Sequence, residues 1–489
     1  MSEITTIVIF GASGDLTKRK LIPALFDLFL KERLPEQWQI VGVSRSAMSD
    51  EEFRGRMELG VEEFTNHKLN EDLWSEFSSH VRYFAGDLSK LDDMVDLDQD
   101  LTGPEGDGPA NRVYYLSVAP RLYESALENL GAADMVSETN GWRRVVIEKP
   151  FGHDFPSAKA LNKKVYDVLN ESQIYRIDHY LGKETVQNIM VFRFANSLFE
   201  PVWNRNHIHH VQITASETVD VGHRAGYYDG VGVVRDMMQN HMLQLLSLVA
   251  AEPPASLGAE SLRNEKVKVL KAIRPMEPEE VLRNSVLGQY RTYRDAEGVA
   301  TQSQTPTYAA IRFYIDNWRW QGVPFYLRSG KALAAKTTEI RIIFKEPPHV
   351  MFPMPSNAQI TRNSLSICIQ PDEGIRFSFQ AKEPDTAADM RTVNMTFRYA
   401  QAFGPTAIPE AYERLLLDIL KGDASLFTRG DAIELAWQLI DPIIEAWESE
   451  GAAPLAYFYE TGSWGPVEAD RLLAQDNAIW SIECHDKQR

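Results

Sequence analysis

Ile7-Val8-Ile9-Phe10 runs straight into Gly11-Ala12-Ser13-Gly14 and then into a helical pattern that sets Leu21, Leu25, Leu28 and Phe29 on one face. A β-branched strand, a glycine turn and an amphipathic helix, in that order, open a strand–helix alternation. The alternation continues. Strands are predicted at 39–43, 82–84, 112–116 and 143–147, several of them separated by helical stretches, which argues a parallel, doubly wound sheet. Pro23 falls inside the first helical pattern, so the regular helix begins near Lys20 or kinks there. The Gly- and Pro-rich stretch 101–111 reads as a surface loop.

Beyond about Gly182 the pattern changes. Helical stretches at 183–194 and 233–251 precede strands of period two: Ile340, Ile342, Phe344; Leu365, Ile367, Ile369; Ile375, Phe377, Phe379; Val393, Met395, Phe397. Such alternation predicts antiparallel strands with one buried face and another that is solvated or covers a second subunit. A chain of 489 residues exceeds what one core organises. We therefore expect an α/β domain over 1–177 and a larger α+β domain with an extended antiparallel sheet over 178–489.

The net charge of −18, from 51 basic and 69 acidic side chains, repels a nucleic-acid backbone, so no nucleic-acid partner is expected. It repels small phosphates too, and local clusters of cations become informative for that reason. Cys368 and Cys484 are too few for a disulfide framework and lack zinc-site spacing, which suggests a reducing compartment. With neither a signal-like segment nor an apolar run long enough to span a bilayer, the expected location is cytoplasmic, off the membrane.

The turn after the first strand aims backbone N–H groups at a pyrophosphate, although the full G-x-G-x-x-G spacing is not met. Lys18-Arg19-Lys20 stands near a helix N-terminus, against the macrodipole, and suggests a bound anion. The second strand ends Val43-Ser44-Arg45-Ser46, where a dinucleotide site for NAD would carry an acidic residue. Arg45 between serines suits a 2′-phosphate instead, so NADP is expected, with NAD as a weaker alternative. Further along, Arg176-Ile177-Asp178-His179-Tyr180-Leu181-Gly182-Lys183-Glu184 concentrates phosphate-holding side chains at the start of a helix.

GASGDLTKRK from Gly11, EKPFG from Glu148, RIDHYLGKE from Arg176, RDMMQNH from Arg235 and VPFYLRSGK from Val323 together resemble the glucose-6-phosphate dehydrogenase family along nearly the whole chain. The resemblance implies a Rossmann domain followed by a large antiparallel β+α domain that self-associates as a homodimer or homotetramer. It implies oxidation of glucose 6-phosphate to the lactone with NADP as hydride acceptor. His241 would be the base and Asp178 would hold its imidazole; His179, Tyr180 and Lys183 would hold the 6-phosphate. Glu217, Asp236, Lys331 and Lys336 would contact the sugar. Gly11, Ser13, Gly14, Asp15, Leu16, Arg45, Asp87, Leu88, Tyr115 and Lys149 match cofactor-binding positions, and no metal set is implied. Some members bind a second, structural NADP, but Cys368 and Ser378 stand where basic residues would be expected, so that site is expected to be absent or altered.

Oxidising a hemiacetal requires a proton to leave with the hydride, and imidazole is the side chain best matched to that near neutrality. Asp236 and His241 are five apart, about 140° around an α-helix. Either the pocket wraps around that helix or the helix is distorted near Asn240. Two other sets read as structural: Ser329-Gly330-Lys331 lacks the upstream glycine and following Ser/Thr of a P-loop, and His207, His209 and His210 read as a solvated strand end. The competing functions are a sugar-phosphate and dinucleotide-binding regulator without turnover, and a related aldose dehydrogenase with dual NAD/NADP use.

Overall fold

In the computed structural model, which describes residues 3–65, 68–106, 108–352, 360–386, 389–449 and 457–484, the first sheet comprises β1 (Ile4–Phe10), β2 (Gln37–Ser44), β3 (Val81–Ala85), β4 (Ala110–Leu116), β5 (Arg143–Ile147) and β6 (Ile174–Arg176). Every neighbouring pair is parallel and the order is β3-β2-β1-β4-β5-β6, the doubly wound arrangement whose ligand crevice opens where the order reverses, between β1 and β4. Ile7, Ile9, Ile40, Val113 and Val146 are at most 1% exposed and pack with Leu25, Phe26 and Leu28 of the helix Ile22–Leu30. Each such side chain contributes roughly 1.5–3 kcal/mol by leaving water. The helix Ala411–Lys421, whose Tyr412 stands 264 positions after Glu148 just beyond β5, lays Leu415, Leu416 and Ile419 into the same core.

Local expectations fail at two places in this unit. Met94, Leu97 and Leu101, spaced three and four apart, are buried, and that periodicity carries the helix Leu91–Glu105 through Pro104; the loop predicted from Leu101 is confined to the short segment before β4. The first helix enters through a wider π-turn, Thr17–Leu21, and its regular part begins at Ile22, which puts Pro23 in a first turn where its missing N–H is harmless.

The second sheet has nine strands: β7 (Ile208–Ser216), β8 (Ser285–Tyr290), β9 (Tyr308–Tyr314), β10 (Pro324–Gly330), β11 (Thr337–Phe344), β12 (Ser364–Gln370), β13 (Gly374–Lys382), β14 (Met390–Arg398) and β15 (Tyr457–Tyr459). Their order is β14-β13-β12-β11-β7-β10-β9-β8-β15. It is mixed rather than purely antiparallel, because β7 pairs parallel with β10 and β8 with β15. β14 is an edge strand with Met395 65% exposed, so the apolar face predicted for it is open in a single chain. His210 is not at a solvated end: its ring is buried against Tyr326, and desolvation pushes its pKa down to about 3.

The cysteine expectation is overturned. Cys368 of β12 and Cys484 form a disulfide with Cα atoms 5.4 Å apart. The segment before Cys484 is strapped across the sheet: Glu483 pairs with Arg341 at 2.6 Å, and the backbone N–H groups of Glu483 and Cys484 donate to the buried Glu339 carboxylate. A separation of 116 residues leaves no local signature of such a bond, and the cysteine count no longer argues for a reducing compartment.

By density of contacts the chain divides into one unit of Met1–Lys183, Ala255–Arg263 and Pro409–Glu434 and another of Glu184–Pro254, Asn264–Ile408 and Leu435–Arg489. Among the described residues, no helix is long and apolar enough to cross a membrane.

Candidate active site

In the first unit, β1 stops at a turn that only glycine can make. Gly11 has φ +77°, and a Cβ there would lie 2.0 Å from the carbonyl oxygen of Ser117, in the turn after β4. The backbone N–H groups of Gly11 and Ala12 donate to Val43, and that of Gly14 to Gly11, which coils the loop above the reversal of strand order. Ser13, Gly14, Asp15 and Leu16 stand on its partly open rim. A backbone cradle without a side chain at its base fits a dinucleotide pyrophosphate.

Arg45 is exposed just after β2. The loop behind it is fixed by Tyr83, whose hydroxyl lies 2.6 Å from Ser44 Oγ and donates to the Ser46 carbonyl. Asp87 follows β3; its carboxyl is held below the usual range by hydrogen bonds from Ser89, with Arg45 and Lys90 adding to the effect. Leu88 is buried and its carbonyl accepts from Asn129. Tyr115 near the end of β4 has a wholly buried side chain whose hydroxyl donates to Glu148 Oε1 at 2.5 Å.

Glu148 takes a second hydroxyl, from Tyr412 at 3.1 Å, and burial pushes its carboxyl up. Next to it Lys149 precedes Pro150 through a cis peptide. The tie from Tyr412 comes from the helix Ala411–Lys421, which no local signal in the sequence connects with this unit. The three cations that suggested an anion are engaged by the protein instead. Lys20 pairs with Glu410 at 2.7 Å, Lys18 lies 3.6 Å from Glu63, and Arg19 stands over the Phe64 ring. These contacts offset the unfavourable dipole.

The loop after β6 is a compact turn. Asp178 Oδ1 accepts from the Tyr180 N–H at 2.9 Å, the Asp178 carbonyl from Leu181, and the Tyr180 carbonyl from Lys183. His179 and Tyr180 have ring centroids 5.1 Å apart, and Lys183 Nζ lies 4.7 Å from the Tyr180 ring centre. Lys183 thus stands just before the helix Glu184–Phe194 rather than inside its first turn. Gly182 lets the turn press on the helix below, since a Cβ would come within 2.6 Å of the Ala411 carbonyl oxygen.

In the second unit, topology gathers the predicted sugar contacts. β7 and β10 run parallel and β11 runs against β7, so Ser216, Gly330 and Thr337 share one sheet edge. Glu217 and Lys331 follow the first two, and Lys336 precedes the third. Lys331 Nζ donates to Glu217 Oε2 at 2.5 Å, and Lys336 is exposed. The P-loop look-alike at 329–331 is the end of a strand.

Asp236 and His241 lie on the helix over Val234–Met242, which is wound as a π-helix before the α-helix Leu243–Ala250. Hydrogen bonds from i to i+5 bring residues five apart back to one face, so Asp236 and His241 stand one wide turn from each other instead of 140° around. Of the two possibilities left by the sequence, the distorted helix is the one observed. Asn240 supports it: its Nδ2 donates to the Arg235 carbonyl at 3.2 Å and its Oδ1 accepts from the His241 N–H at 2.6 Å. His241 is 1% exposed.

Two family models match nearly the whole chain: "Glucose-6-phosphate dehydrogenase, NAD binding domain" over residues 8–188 and "Glucose-6-phosphate dehydrogenase, C-terminal domain" over residues 190–481. The chain belongs to the glucose-6-phosphate dehydrogenase family. A glucose-6-phosphate 1-dehydrogenase of Aggregatibacter actinomycetemcomitans is 46% identical over 98% of this chain and 97% of its own. Among solved structures, a glucose-6-phosphate dehydrogenase in complex with its substrate glucose-6-phosphate is 36% identical and superposes with a TM-score of 0.90, covering 98% of this chain and 99% of the other. A glucose-6-phosphate 1-dehydrogenase from Mycobacterium avium is 35% identical with a TM-score of 0.84, and each chain covers 99% of the other. Both units of the fold are therefore those of the glucose-6-phosphate dehydrogenase family.

Proposed function

We propose that this chain oxidises glucose 6-phosphate at its anomeric carbon to the lactone, with NADP as hydride acceptor. The observation that carries the assignment is the wide helical turn that puts Asp236 and buried His241 on one face, in a chain of the glucose-6-phosphate dehydrogenase family that superposes on a member solved in complex with this sugar phosphate. His241 takes the proton of the anomeric hydroxyl, and Asp178 is the carboxylate that fixes its tautomer and stabilises the imidazolium. His179, Tyr180 and Lys183 hold the 6-phosphate; Glu217, Asp236, Lys331 and Lys336 hold the sugar hydroxyls.

NADP supplies the hydride-accepting ring. The Gly11–Leu16 loop, with Lys149, holds its pyrophosphate side, and exposed Arg45 meets the 2′-phosphate, with Asp87 and Leu88 along the adenosine edge. Tyr115, near the end of β4 beside this loop, belongs to the same cofactor side, its hydroxyl held by Glu148. Residues 1–177 thus serve the cofactor, and 178–489 serve the sugar and self-association, for which the open apolar positions at the β14 edge are the surface. A cytoplasmic location belongs with this chemistry and draws nothing from the cysteines.

Purified protein mixed with glucose 6-phosphate and either NADP or NAD tests the assignment directly. Reduced nicotinamide should form, faster with NADP at low cofactor. No turnover with either cofactor would leave a binding protein.

A further inference from the structure

One buried phenol in the second unit has no place in the roles given so far. Tyr228 ends the short helix Ala225–Tyr228, is 5% exposed, and its solvent-shielded hydroxyl has no hydrogen-bond partner among the described residues. Its surroundings fix the ring. Tyr293 packs edge-on against it with centroids 6.4 Å apart, and the adjoining Asp229 accepts from the Tyr293 hydroxyl at 2.9 Å and from the Ala300 N–H at 3.1 Å. Lys331 Nζ lies 5.2 Å from the centre of the Tyr228 ring. The same ammonium bonds Glu217, and the Lys331 carbonyl accepts from the Tyr459 hydroxyl at 2.8 Å, so both ends of this lysine are held.

An ammonium within about 6 Å of an aromatic centre is attracted by the negative ring face. A lysine has a flexible stem and three rotatable donors. Without the ring, the ammonium would settle wholly on Glu217, and the two sugar contacts would occupy each other. We propose that Tyr228 is a positioning residue of the sugar edge: its ring seats the Lys331 ammonium between aromatic face and carboxylate, leaving N–H donors directed to a sugar hydroxyl. Burial, with Asp236 and Glu217 close by, holds the phenol well above its ordinary range, so the attraction comes from the neutral ring. The inference rests on Lys331 being a sugar contact.

The test compares Tyr228→Phe, Tyr228→Leu, Lys331→Met and the Tyr228→Leu/Lys331→Met pair in steady-state kinetics with glucose 6-phosphate. Tyr228→Phe keeps the face and removes a hydroxyl without a partner, so KM should stay within about twofold. Tyr228→Leu should raise KM roughly three- to tenfold with a smaller change in kcat, and should add nothing once Lys331 is methionine. A KM unmoved by Tyr228→Leu while Lys331→Met raises it overturns the proposal and leaves the sugar site standing. A KM unmoved by Lys331→Met sinks the sugar contact itself. Equal damage from Phe and Leu would place the effect in the hydroxyl and also overturn it. Should Tyr228→Leu fail to fold, fluorinated phenylalanines at 228 keep the shape while draining charge from the ring face. KM should then climb with fluorination, and a flat series refutes the idea.

Discussion

His241 is almost wholly buried in a helix that also buries Val234, Met237, Met238 and Met242, where an apolar residue would pack with less cost. In the proposed mechanism its imidazole takes the proton of the anomeric hydroxyl, and Asn keeps much of its shape without its basicity. His241→Asn should lower turnover by a factor of roughly 10² to 10⁴ with little change in sugar binding; near-normal turnover would remove His241 from the role of base. Arg45 is the opposite kind of residue, exposed and free to be read by one cofactor and not the other. Arg45→Ala should lose on the order of 1.5–3 kcal/mol in apparent affinity for NADP and almost nothing for NAD. Steady-state constants for both cofactors at matched salt decide this, and parallel losses would assign Arg45 to loop support. The positions proposed for these roles come from the sequence, Arg45 from its place at a strand end and His241 from a motif. That the Tyr115 side chain is buried and bonds Glu148 was not legible, because a motif gives position along the chain, whereas the pleat of β4 decides which way a side chain points.

At the scale of elements, the helix over Val234–Met242 is the piece that sequence spacing made contradictory and geometry resolved. A wide turn has poorer internal packing than an α-turn, and Asn240 supplies two side-chain hydrogen bonds where the ladder is stretched. Asn240→Ala removes both, each worth about 0.5–1.5 kcal/mol. We expect the turn to tighten, swinging His241 away from Asp236 and lowering kcat at least tenfold while the protein stays folded by circular dichroism. Unchanged kcat would mean that packing alone sets the wide turn. Strands such as β1, β2, β4 and β5 were readable because consecutive β-branched and apolar residues bury on both faces. The helix Ala411–Lys421 was not assigned to the first unit, since its tie through Tyr412 to Glu148 joins residues 264 apart.

Across the whole molecule, the Cys368–Cys484 bond was hidden for the same reason: nothing near either cysteine announces the other. Closing a span of 116 residues restricts the unfolded chain, and loss of such a bond typically costs about 2–4 kcal/mol. Cys484→Ser, or incubation with a dithiol, should therefore lower the melting temperature of the second unit by several degrees. Coincident melting curves for reduced and oxidised protein would show that the strap of Glu483 and Arg341 suffices without the sulfurs. The order of strands carries a consequence in time as well. β7 lies at the centre of its sheet, yet its two partners, β10 and β11, are made more than a hundred residues later. A nascent chain holding β7 has no neighbour to give it, and pairings of such long reach form slowly. Glu217 waits at the end of that strand for Lys331 and Lys336, so the edge proposed to meet the sugar has no existence until the chain has run well past its middle.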